Sequence, residues 1–151
     1  MISNVPGIGL AIRTADCLPI LMADPRSRTV AAIHAGWRGV VSEIASKTIQ
    51  AMCQQFDSKP QDLVIAIGSG IGSCCFEVGP EVASQFQLEG RTKIDLVETT
   101  CRQLRRNGVS QGQISTAGLC SCCNPALFES YRRDREAAGR MVAMIGLEGA
   151  L

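Results

Sequence analysis

TADCLPILMADPRSRTVAAIHAGWRGVV, residues 14–41, contains a strand, a turn, a second strand and the start of a helix. Leu18 to Ala23 is a short apolar run, Asp24-Pro25 is a turn signal, and Arg28 to His34 is the next apolar run. Runs of this length between turn residues read as buried strands. From Val40 the spacing changes. Val41, Ile44, Ala45, Ile49, Met52 and Phe56 recur at three- and four-residue steps, which predicts a helix from Val40 to about Gln55 with one apolar face. Upstream, Gly9 to Thr14 adds another apolar run, so three buried strands are expected in the N-terminal third. Downstream, Leu63 to Ile67 reads as a buried strand running into GSGIGS, where glycines permit tight turns and close backbone approach. Asp95 with Glu98 forms a capping-box signal, Leu96, Val97, Cys101 and Leu104 supply an apolar stripe, and Asn107-Gly108 supplies a stop. Gly139 to Leu147 reads as a closing, fully buried strand. This order predicts a mixed α and β protein, without deciding which strands are parallel.

The 151 residues and a hydrophobic fraction of 46% suit one domain, residues 1–151, with a buried core. No internal repeat or linker divides it. Lys and Arg total 15 against 14 for Asp and Glu, so no net field favours nucleic acid or an anionic membrane as a partner. Arg13, Asp16, Asp24 and Arg38 interrupt the apolar N-terminal third before any stretch reaches membrane-spanning length. Eight cysteines accompany long aliphatic runs, with no basic and apolar leader at the N-terminus, and this combination points to a reducing, cytoplasmic setting. Only a short ISNVPG lead-in precedes the first strand, so further sequence upstream is expected.

His34 is the sole histidine and stands where an apolar strand meets AGWRG. Cys17 stands at another strand junction. A thiolate and an imidazole brought together there either bind a zinc ion or act as nucleophile and base; spacing does not select between these. The glycines of GSGIGSCCFEVG fit neither the phosphate-loop nor the dinucleotide pattern, and a plain strand-to-helix turn is the simpler reading. Cys74, Cys75, Cys120, Cys122 and Cys123 lack zinc-ribbon spacing, and adjacent cysteines rarely share an ion, so most read as small buried hydrophobes. Glu77 reads as an ordinary loop carboxylate, Arg135 and Glu136 as a solvated run, and Trp37 as either a stacking platform or a core anchor.

Taken in order, TADCLPILMADP, VAAIHAGWRGVV, GSGIGSCCFEVGPEV, SYRRD and GRMVAMI resemble the laccase-domain (YfiH-type, multicopper polyphenol oxidase-like) purine nucleoside phosphorylases, from about Ile2 to Leu147. The resemblance implies an α+β fold of layered mixed β-sheets covered by helices, incomplete at its N-terminus. It implies zinc held by Cys17 and His34, with a third histidine from an upstream QVHG-like motif that has no counterpart in this sequence. The implied substrates are a purine nucleoside and phosphate. The implied products are free base and ribose 1-phosphate, with adenosine deamination and methylthioadenosine cleavage as related activities. Arg38 is then the first candidate for phosphate or substrate contact and Arg132 or Arg133 the next, with Gly70 at the site edge and Asp16 as a proton-handling neighbour. Copper-dependent phenol oxidation is the alternative in the older family name, but one histidine is too few for a multicopper cluster. A Cys/His hydrolase, an inactive fragment and a homo-oligomer are further readings. Without the upstream part, an exposed edge or apolar surface and marginal solubility are expected.

Overall fold

The computed structural model describes residues 1–149. In chain order its main elements are β1 (Ile2–Ser3), β2 (Gly9–Thr14), β3 (Leu18–Asp24), β4 (Thr29–Ala35), α1 (Trp37–Val41), α2 (Ile44–Phe56), β5 (Val64–Ile67), β6 (Glu77–Val78), α3 (Pro80–Ala83), β7 (Thr92–Lys93), α4 (Leu96–Arg106), β8 (Ile114–Thr116), α5 (Tyr131–Asp134) and β9 (Met141–Gly146). Five strands form one mixed sheet in the order β1-β4-β3-β5-β8, antiparallel except for the parallel β5–β8 pair. β2 and β9 form a separate antiparallel ribbon, and β6 pairs with β7.

The pleat sorts the central strands into two faces. Leu18, Ile20 and Met22 of β3 stand opposite Ala35, Ile33 and Ala31 of β4, and Ile20 and Met22 stand opposite Ile67 and Ile65 of β5. All of these are buried in one core with Ala45, Ile49 and Met52 of α2 and Leu96, Cys101 and Leu104 of α4. The helices therefore cover one face. The opposite face carries Pro19 and Leu21 of β3 with Ala32 and His34 of β4, and the β2–β9 ribbon packs against these strands. Helices, sheet and ribbon give a layered α+β architecture, as the family resemblance implies.

The capped helix forms as read: an Asp95 carboxylate oxygen accepts the Glu98 N–H at 2.8 Å, and α4 ends before Gly108, whose φ of +87° suits glycine. Four expectations need correction. The helix from Val40 to Gln55 is two helices, broken at Ser42-Glu43, with Glu43 at φ 55°. The apolar spacing runs unbroken across this bend because both helices bury their stripe in the same core. The closing strand is not fully buried: in β9 Val142 and Met144 are 63% and 64% exposed, alternating with half-buried neighbours. β2 and β5 likewise bury alternate residues only, since each has one uncovered face. Finally, GSGIGS leads to no helix; it enters a turn at residues 73–75 and then β6.

Candidate functional site

Cys17 and His34 lie at one end of the central sheet, on the face opposite the helices. His34 pairs with Pro19 across β3–β4, and Cys17 is two residues before Pro19, so alternation carries both side chains to the same side. Gly36, two residues after His34, lies against the thiol: a Cβ there would come within 2.9 Å of the Cys17 sulfur. The glycine in HAGWRG thus makes room for the thiol. His34 is exposed and Cys17 half-buried. Burial, and secondarily the adjacent Asp16 carboxylate, push the Cys17 thiol above its usual range, so a cation is what would favour its thiolate form. The pair offers one soft sulfur and one imidazole nitrogen, a donor set that fits zinc at two corners. Among the described residues, no third ligand-bearing side chain gathers with them.

Arg38 sits in α1, immediately after the HAG segment. Its guanidinium stacks over the Trp37 ring at 4.3 Å and is exposed, which leaves its donor edge available for an anion. Asp16 has a different position. It is buried at φ 82°; one carboxylate oxygen accepts the Ser121 hydroxyl at 2.7 Å and the other accepts the Arg132 N–H at 2.6 Å. Its carbonyl accepts the Ile71 N–H at 2.8 Å. This residue clasps two distant loops to the base of β3. Gly70 lies inside the same clasp, where a Cβ would meet a Leu18 methyl at 2.6 Å and the Asp16 carbonyl at 2.8 Å; it also borders a groove of about 310 Å³. One guanidinium nitrogen of Arg132 donates to the carbonyls of Cys75 and Glu77, and the Arg133 guanidinium donates to those of Ser121, Cys122 and Phe128. Glu77 itself is on the surface, paired with Arg91, as the loop reading anticipates.

The cysteines outside this site depart from expectation. Cys74 and Cys123 are exposed, Cys75 and Cys120 are half-buried, and the four sulfurs lie within 4.8 Å of one another. They are not separate core hydrophobes. Burial opposes ionisation of Cys120, but the N–H groups of Gly72, Cys123 and Cys122 and the Cys74 thiol outweigh it and bring Cys120 down to about 7. The Cys120-to-Cys123 spacing, a pair of cysteines separated by two residues, was the signal in the sequence that could have exposed this cluster. A cleft of about 460 Å³ lies elsewhere, between α1, α4 and residues 85–95. It contains neither a cysteine nor the histidine, so chemistry rather than size locates the site on the Cys17–His34 face.

Residues 1–148 match the family model described as multi-copper polyphenol oxidoreductase laccase. The chain belongs to this laccase family. The laccase-family chain is 40% identical to a purine nucleoside phosphorylase of Deinococcus radiodurans, over 97% of its own length and 60% of the relative's. It is 32% identical to the purine nucleoside phosphorylase YlmD of Bacillus subtilis, over 98% of its length and 58% of that protein's. Among solved structures, the hypothetical protein YfiH of Bacillus licheniformis superposes with a TM-score of 0.93 at 34% identity, covering 97% of this chain and 60% of that one. YlmD from Geobacillus stearothermophilus has the same TM-score and identity, over 98% of this chain and 60% of its own. The chain spans about 60% of the length of these relatives.

Proposed function

We propose that this laccase-family chain is the metal-bearing part of a zinc-dependent purine nucleoside phosphorylase, which converts adenosine, inosine or guanosine and phosphate to free base and ribose 1-phosphate. The observation that carries the reading is the placement of Cys17 and His34 on one face at one strand end, in a chain whose relatives bear that enzyme name. Cys17 and His34 would hold the zinc. Zinc bound there supplies Lewis acidity and lowers the pKa of water in its remaining positions. Copper clusters of the oxidase type need several imidazoles, and the chain has one histidine.

The chain's own groups bind and orient. Phosphorolysis develops cationic character on the ribose, so phosphate must stand beside the anomeric carbon as the purine leaves. Arg38, braced on Trp37, is the phosphate or substrate anchor, and its fork suits two-point contact with an oxyanion. Arg132 is the secondary anchor. Asp16 and Gly70 act by keeping the base of β3 and its two neighbouring loops together, which fixes where Cys17 presents its sulfur. Adenosine deamination and methylthioadenosine phosphorolysis belong to the same reading as further reactions of this site, in a cytoplasmic setting. Among the described residues, no helix is long and apolar enough to cross a membrane.

The test is release of free purine base from adenosine or inosine, with and without phosphate. The expected result is release that depends on phosphate and falls by roughly 100-fold or more in Cys17→Ser and in His34→Ala, the scale set by disrupting a metal's ligand environment. Release that ignores phosphate, or survives both substitutions, overturns the proposal. Phosphate-independent cleavage blocked by alkylating Cys17 in metal-free protein would instead assign a cysteine hydrolase.

A further inference from the structure

A second constellation of soft ligands stands apart from the proposed function. The sulfurs of Cys74, Cys75, Cys120 and Cys123 lie within 4.8 Å of one another, with Cys75 to Cys123 at 3.2 Å and Cys74 to Cys123 at 3.5 Å. A tetrahedral zinc site with metal–sulfur bonds of about 2.3 Å has sulfur–sulfur edges of about 3.8 Å. The four thiols are thus already near the spacing that one such ion requires. Adjacent cysteines in a strand would point to opposite faces. Cys74 and Cys75 instead occupy a tight turn, in which the N–H groups of Cys75 and Phe76 both donate to the Gly72 carbonyl, and the turn brings both sulfurs to one side.

The frame around the thiols is built by other bonds. Gly70 and Cys120 form a parallel bridge, and the Ser121 N–H donates to the Gly70 carbonyl at 2.8 Å. The Gly72 N–H donates to the Cys120 sulfur at 3.2 Å, an outer contact of the kind that steadies a metal-bound thiolate. Arg132 grips the Cys75 carbonyl and Arg133 the carbonyls of Ser121 and Cys122, so each cysteine loop is braced by a guanidinium. All four cysteines carry free thiols.

We propose that Cys74, Cys75, Cys120 and Cys123 form a four-thiolate site for a soft divalent cation of the zinc class, distinct from the Cys17–His34 site. With four protein ligands the site has no open position, so its role is structural. It ties the loop after β5 to the loop after β8, the two segments that Asp16 clasps beneath Cys17.

Cobalt(II) titration of the reduced full chain carrying Cys17→Ser and His34→Ala tests this with the metal alone as probe. The expected result is binding of ~1 equivalent, with strong thiolate-to-cobalt charge-transfer absorption and intense tetrahedral d–d bands, all displaced by zinc. Cys123→Ser, at an exposed position, should weaken or abolish these bands, while Cys122→Ser should leave them. Zinc should also slow maleimide labelling of the four thiols. A weak octahedral spectrum overturns the proposal, as does binding indifferent to Cys123→Ser or thiols that label equally fast with and without zinc. Recovery of these cysteines as disulfides that, once reduced, bind no cobalt overturns it equally. Loss of phosphorolysis plays no part in the readout, so this test stands or falls independently of the proposed enzyme activity.

Discussion

At the scale of single residues, Asp16 shows how much of the site depends on one carboxylate. Each of its oxygens accepts a bond from a segment more than a hundred positions away, Ser121 on one side and the Arg132 backbone on the other. Asp16→Ala would leave a buried hydroxyl and a backbone N–H without their charged acceptor. We expect a loss of roughly 2–3 kcal/mol in urea unfolding, together with weaker zinc binding at the proposed Cys17–His34 site; unchanged stability would show that water replaces the carboxylate without penalty. This role was not legible in TADCLP. The partners that saturate Asp16 are distant in the chain, and only the fold brings them in. Cys17 and His34 were more legible, since each stands at the end of an apolar run, where strand alternation limits the directions available to its side chain.

Among the elements, the β3–β4 hairpin carries the site, and its turn is organised by another aspartate. Asp24 is buried; one oxygen accepts the Arg26 and Ser27 N–H groups and the other the Ser27 hydroxyl. Burial alone would raise its pKa, but the bonds from Ser27, Ser58 and Arg26 outweigh that and hold it below the ordinary carboxylate value. A depressed folded-state pKa contributes stability that is present above the unfolded value, about 3.9, and is lost as the pH falls through the folded value. Resistance to denaturant should therefore fall on acidification below about pH 4. Asp24→Asn should lower stability near neutrality and flatten that part of the profile; an unchanged acid limb would contradict the assignment. The Asp24-Pro25 signal predicted this turn, as Asp95 predicted the start of α4. The break between α1 and α2 was hidden because both helices bury the same stripe, and the uncovered face of β9 was hidden because Val142 and Met144 are apolar whether or not anything covers them.

Across the whole molecule, the apolar runs of β3, β4 and β5 and the three-to-four apolar spacing of α2 and α4 supply one buried core. That much could be read from the chain. The cysteine cluster could be read only in part: the Cys120-to-Cys123 spacing hints at paired ligands, but their meeting with Cys74 and Cys75 depends on two loops brought together by the parallel β5–β8 pair. The functional account rests on the opposite end of this logic, the thiol and imidazole brought to one face by the antiparallel β3–β4 pair. Anomalous diffraction at the zinc absorption edge, on crystals grown with zinc, tests it most directly. The account predicts a peak about 2.3 Å from the Cys17 sulfur and about 2.0 Å from an imidazole nitrogen of His34. A well-phased map with both side chains ordered and no peak between them would contradict it.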